Sequence, residues 1–183
     1  MNHYEGMFIL HNRDTGEPED ERASPEDVVK ALLEKVGGEL GPIMQWANRK
    51  LSYPIAGNQT GTYVLCWYKA ESQVNNELAR EVKLSDRVLR HMVLTVETFP
   101  AEDALPAPLA EPRGGRRDEL DTGGKKVWEL LDYKDVAVLR RMVTSQGKLF
   151  SRVRSSLDAK NQRKLRRSVH RARNLALLPF TSR

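Results

Sequence analysis

The sequence predicts an α+β fold: a four-stranded antiparallel sheet laid down in the order β-α-β-β-α-β, then a linker, then a small basic all-α module. Three observations predict it. Over residues 1–99, four short apolar or alternating runs are interleaved with two amphipathic helical patterns. Residues 100–126 lose that periodicity and fill with Pro, Gly and charge. Residues 127–183 gather Lys and Arg densely around a thin apolar stripe.

Tyr4 to His11 is nearly continuous apolar sequence and reads as the first strand. Asn12 to Ala23 is polar and acidic, with Gly16 and Pro18, and reads as a loop. Ser24-Pro25-Glu26-Asp27 is a helix start: Ser can accept a free amide, Pro suits the first helical position, and the acids face the positive end of the dipole. Val28, Ala31, Leu32 and Val36 mark one face, and Gly37-Gly38 ends the helix. Ile43 to Tyr53, closed by Pro54, is the second strand; Asn58 to Gly61 is expected to turn; Thr62 to Lys69 is apolar enough for a central strand. Ser72 to Leu84 is the second helix, with Val74, Leu78 and Val82 on one face. After a turn at 86–88, Arg90 to Glu97 alternates as the fourth strand.

That element order is the ferredoxin-like, split βαβ pattern, with both helices on one face of the sheet. RNA-recognition domains share it and stack bases on aromatics of their central strands. Here the third strand opens Thr60-Gly61-Thr62-Tyr63-Val64, without the basic residue and aromatic spacing of that site. Trp46, Trp67 and Tyr68, at strand spacing, suit a core or a protein interface.

The net charge of +5 divides unevenly. Residues 1–100 carry 11 Lys/Arg against 15 Asp/Glu, residues 101–124 carry 3 against 6, and residues 125–183 carry 16 against 4. Such asymmetry implies an acidic folded module tethered to a nucleic-acid-binding one. A flexible tether over 100–126 would span roughly 25–30 Å, with Pro stiffening its first half.

In the second module, Asp132 can cap a helix bearing Val136, Leu139 and Val143, and Gly147 is expected to end it. Asp158 can cap a longer helix reaching Arg173, on which Leu165, Val169 and Ala172 share one face. The rest of that helix is basic. Arg152, Arg154, Lys160, Arg163, Lys164, Arg166, Arg167, His170, Arg171 and Arg173 are therefore the candidate RNA contacts, mainly to phosphates, whose neutralisation releases condensed counterions. The competing reading is a solvated basic face. A membrane-surface helix fits poorly, because the stripe is thin and holds no Trp or Phe. Tyr133, Val136, Leu139, Leu177, Leu178 and Phe180 are candidates for an interface between the two modules, since so short and charged a module makes a poor core by itself.

Other chemistry finds little support. Cys66 stands alone, which excludes an internal disulfide and a cysteine-rich metal site. None of His3, His11, His91 and His170 stands in a nucleophile–base or metal pattern. Gly114-Gly115 and Gly123-Gly124 lack the phosphate-cradle context. No run approaches membrane-spanning length. Because a strand-like run begins at Tyr4, no signal or transit peptide is expected. The expectation is a cytoplasmic protein that is not an enzyme, with no catalytic residues, metal, cofactor or small-molecule substrate and no membrane partner.

Two resemblances sharpen this. Tyr4-Glu5, Arg49-Lys50-Leu51-Ser52-Tyr53-Pro54-Ile55 and Asp86-Arg87-Val88-Leu89-Arg90-His91-Met92-Val93 resemble bacterial small-subunit ribosomal protein S-six over residues 4–99. Asp132-Tyr133-Lys134-Asp135-Val136, Gly147-Lys148-Leu149, Asn161-Gln162-Arg163-Lys164-Leu165 and Arg171-Ala172-Arg173, followed by Leu177-Leu178-Pro179-Phe180-Thr181, resemble bacterial small-subunit ribosomal protein S-eighteen over residues 131–181. Ser151 replaces the usual Pro of that family, and Ser155-Ser156 its usual Thr-Gly. The resemblances imply a structural constituent of the small (30S) ribosomal subunit. It would be a single-chain version of the dimer those two proteins form on the platform, bound to the central domain of small-subunit rRNA and to neighbouring small-subunit proteins. Arg49, Lys50, Arg87 and Arg90, inside matched strings, are then possible secondary RNA contacts. The alternative is a non-ribosomal RNA-binding regulator with an acidic interaction domain.

Overall fold

In a computed structural model, residues 1–11, 23–101, 105–109 and 128–181 are described. The expected acidic loop, except Ala23, and the two linker glycine pairs lie outside them. The chain divides into two compact units, Met1–Ala110 and Glu111–Arg183. Among the described residues no helix is long and apolar enough to cross a membrane.

The first unit has β1 (Asn2–His11), α1 (Pro25–Lys35), β2 (Glu39–Ile55), β3 (Asn58–Ala70), α2 (Val74–Leu84) and β4 (Val88–Val96). The strands form one antiparallel sheet in the order β2-β3-β1-β4. Both helices lie on one face. Val29, Leu33 and Val36 at α1, and Leu78 and Val82 of α2, share a core with Tyr4, Phe8, Leu10, Val64, Cys66 and Tyr68 from the central strands. Ser24 caps α1 as expected, its Oγ accepting the Asp27 amide at 3.1 Å. Burial pushes the Cys66 thiol far above its usual range, so it is a packed group and not a nucleophile.

The hairpin differs from expectation. The turn is Ala56-Gly57, with φ of 47° and 82°, and Asn58 to Gly61 belongs to β3. A two-residue turn with both φ positive matches the twist of the flanking strands. β2 also runs past both ends of the expected segment and contains Pro42 and Pro54. Proline donates no amide hydrogen bond, but β2 is an edge strand, and both prolines fall where its register with β3 shifts.

Part of the expected linker is not free. The Leu109 amide donates to the Trp46 carbonyl at 3.0 Å, and the Trp46 indole N–H donates to the Ala107 carbonyl at 3.0 Å. A register shift between Gln45 and Ala47 coincides with this contact. Trp46 is buried, and its indole N–H there needs an acceptor.

In the second unit, α3 covers Val136–Arg141, α4 Arg152–Ser155 and α5 Ala159–Asn174. Asp132 does not cap α3; its carboxylate accepts the Tyr133 amide at 2.7 Å and lies 3.2 Å from the Lys134 ammonium. Val143 leaves the helix and pairs with Leu149 in a short bridge. Gly147, at φ 80°, therefore shapes the loop closed by that bridge instead of ending α3. α4 was not foreseen: it is a single turn in a segment without periodicity. α5 begins as expected, Asp158 accepting the Asn161 amide at 2.7 Å.

Candidate nucleic-acid interface

The geometry of α5 sorts its side chains. Leu165, Ser168, Val169 and Ala172 are buried, and the Ser168 hydroxyl donates to the Leu131 carbonyl at 2.6 Å. Opposite them, Lys160, Arg163, Arg167 and His170 follow one another at spacings of three and four residues and are exposed. That spacing lines them up along one face of the helix, over about 15 Å. Arg166 is exposed on one flank, and Lys164, exposed, and Arg171, half-buried, lie on the other. α5 contains no acidic residue, so the row has no carboxylate partner within the helix beyond its Asp158 cap. Such a row can neutralise successive phosphates.

Arg173 departs from expectation. Its Nη2 donates to the Gly147 carbonyl, its Nε donates to the Pro179 carbonyl at 3.2 Å, and its guanidinium lies 5.9 Å from the centroid of the Phe180 ring. It clamps the C-terminal segment onto the 144–149 loop, with its Nε and Nη2 both donating to backbone carbonyls. Lys164 bonds the Trp128 carbonyl at 3.5 Å but stays exposed. Arg152 and Arg154 are exposed on α4, and the Arg154 guanidinium lies 4.0 Å from the centroid of the Phe150 ring. Gln162 ties this turn to α5: its Nε2 donates to the Phe150 carbonyl at 2.8 Å, and its Oε1 accepts from the Ser155 hydroxyl at 2.9 Å.

Among the proposed interface residues, Tyr133, Val136, Leu139, Leu177 and Leu178 are buried, whereas Phe180 is 54% exposed.

The secondary candidates are mostly engaged within the first unit. Arg90 donates to the Tyr53 hydroxyl at 2.6 Å and lies over that ring. Burial pushes the Tyr63 phenol above its usual range, and the positive charges of Arg49 and Arg90 oppose that rise, which places both near Tyr63. Arg87 donates to the Ala23 carbonyl at 3.4 Å. Lys50 is exposed on β2.

Comparison with known proteins follows the same division. Residues 3–95 match the family model for ribosomal protein S6, and residues 129–178 match that for ribosomal protein S18. The chain belongs to both families. Its S6 half is similar to small ribosomal subunit protein bS6 of Maricaulis maris, at 39% identity over 118 residues, covering 63% of this chain and 96% of that protein. Its S18 half is similar to small ribosomal subunit protein bS18 of Clostridium kluyveri, at 45% identity over 83 residues, covering 40% of this chain and 99% of that one. The crystal structure of 30S ribosomal protein S6 from Thermotoga maritima shares 24% identity and covers 52% of this chain and 87% of its own, with a TM-score of 0.42. A single chain thus joins a member of each family, and the basic row of α5 lies in its S18 half.

Proposed function

We propose that this chain is a structural constituent of the small ribosomal subunit in the cytoplasm. It does in one polypeptide what separate S6 and S18 proteins do, binding small-subunit rRNA and neighbouring ribosomal proteins. The observation that carries this reading is the exposed row Lys160, Arg163, Arg167 and His170, on a helix whose other face is buried and whose sequence belongs to S18. Arg166, Arg171, Lys164, Arg152 and Arg154 widen the basic surface. The finer assignment is to the central domain of the rRNA, on the platform, in a structural and not a catalytic role. The opposite net charges of residues 1–100 and 125–183, −4 and +12, support the two halves acting as partners, with charge speeding their encounter.

The test is co-sedimentation with small ribosomal subunits at moderate salt. The full chain is expected to travel with the subunit, and a variant with Ala at Arg163, Arg166 and Arg167 to remain in the supernatant at the same salt. A full chain that binds RNA but never co-sediments would point to the regulator reading instead.

A further inference from the structure

α4 places an apolar side chain within a basic part of the surface. Val153 is 92% exposed, between the exposed Arg152 and Arg154. A lone exposed valine needs no explanation. This one lines an open groove of about 520 Å³ together with Arg152, Ser156 and Leu157. Leu157 is buried and gives the groove an apolar floor. Ser156, at φ 53°, ends α4 in the left-handed region and is one of the residues that line the groove. Arg154 is engaged with the Phe150 ring, which leaves Arg152 as the cation that lines it.

A bare phosphate gains nothing from Val153 and Leu157, and a hydrocarbon ligand gains nothing from Arg152. A nucleotide uses both. An unstacked base has an apolar face and an edge of donors and acceptors, and it carries a phosphate beside it. We propose that the groove formed by Arg152, Val153, Ser156 and Leu157 receives one unstacked base of the bound RNA. The base lies against Val153 and Leu157, the Ser156 hydroxyl bonds its edge, and Arg152 takes the adjacent phosphate. This inference rests on the RNA-binding reading above and adds a selectivity to it. The α5 row supplies charge that paired and unpaired RNA satisfy equally, whereas a base pocket discriminates between them.

The test uses the full chain with two probes: a transcript of bacterial small-subunit rRNA, and a fully paired RNA duplex. Val153→Ser alters an exposed side chain and removes apolar contact without removing charge. Its affinity for the transcript is expected to fall by roughly fourfold, as loss of about one buried methyl group should produce, while the slope of log affinity against log salt stays at the wild-type value. Duplex binding stays unchanged, and Val153→Ile binds the transcript as the wild type does. Arg152→Ala lowers the slope by about 0.7, as loss of one single-strand phosphate contact should. Wild-type transcript binding by Val153→Ser would overturn the proposal. If that variant also failed to enter subunits reconstituted with the other ribosomal proteins, the groove would instead take a protein segment. Failure of the wild-type chain to bind the transcript at all would overturn the base pocket together with the reading beneath it.

Discussion

The carbonyl of Phe180 lies so close over the Cα of Gly147 that no side chain fits between them. Gly147 is also at φ 80°, and its own carbonyl accepts from Arg173. Three demands meet at this residue: left-handed backbone, no Cβ, and a fixed carbonyl. Gly147→Ala meets a backbone atom, which cannot swing aside as a flexible side chain can. The substitution is expected to destabilise the second unit by at least about 2 kcal/mol, combining left-handed strain with overpacking. Urea titration followed by far-ultraviolet circular dichroism checks this; an unchanged midpoint would mean that the C-terminal segment moves freely off the loop.

The arginines of α5 should separate by role. Arg163→Ala and Arg167→Ala each remove an exposed cation from the row. They are expected to lower the salt slope of RNA binding by about 0.7–0.9 apiece while leaving thermal stability within about 0.5 kcal/mol of the wild type. Arg173→Ala should do the reverse, costing stability by about 1–3 kcal/mol through its stranded carbonyl partners and leaving the slope nearly unchanged. The paired readouts of salt slope and melting temperature decide it. Equal slope changes at all three positions would show Arg173 to be a phosphate contact after all.

That contrast marks where the sequence was legible. The element order, the Ser24 and Asp158 caps and the buried stripe of α5 follow from periodicity and capping chemistry, which are local. Composition could not distinguish Arg173 from Arg167, because the difference lies in two carbonyls, at Gly147 and Pro179, that only the folded chain brings close. α4 was missed because a four-residue helix has no period to detect. The docking of residues 105–109 was missed because proline-rich sequence reads as linker, while its acceptor site depends on how Trp46 sits in β2.

Ser156 offers a gain in stability. It caps α4 in the left-handed region at φ 53°, where its Cβ is strained and glycine is not. Ser156→Gly relieves that strain at some cost in unfolded-chain entropy, and is expected to stabilise the chain by about 0.5–1 kcal/mol. A thermal melt measures it. A loss of stability would mean that the Ser156 hydroxyl contributes more than the backbone strain costs.

His91 should make the first unit sensitive to acid. It sits within β4, paired with Phe8 and stacked on its ring at 6.1 Å. Burial lowers its pKa, and the charge of Lys83 lowers it further. With the folded pKa below the unfolded value near 6.5, the unfolded chain takes up a proton first as pH falls. The contribution of His91 is therefore complete above about pH 6.5 and is lost as pH drops towards the folded pKa. His91→Phe should show a smaller fall in urea midpoint between pH 7.5 and 5.5 than the wild type. Equal falls in both proteins would assign the acid sensitivity to other groups.

Trp46 should hold the segment 105–109 in place. Its indole N–H donates to the Ala107 carbonyl, and its own carbonyl receives the Leu109 amide, so one residue fixes the segment from both its side chain and its backbone. Pro106 and Pro108 have no amide to donate, so the donor of this segment is the Leu109 amide, while Ala107 contributes its carbonyl as an acceptor. Trp46→Phe keeps an aromatic ring in the core but removes the indole donor. It is expected to cost about 1–2 kcal/mol, from the lost hydrogen bond and the smaller ring. The more specific consequence is local opening: with one of the two bonds gone, the Leu109 amide should exchange with solvent faster by roughly tenfold, while amides of β1 and β3 keep their protection. Residue-resolved hydrogen exchange reads this directly. If Leu109 exchanged at the wild-type rate in the variant, the segment would be held by something other than Trp46.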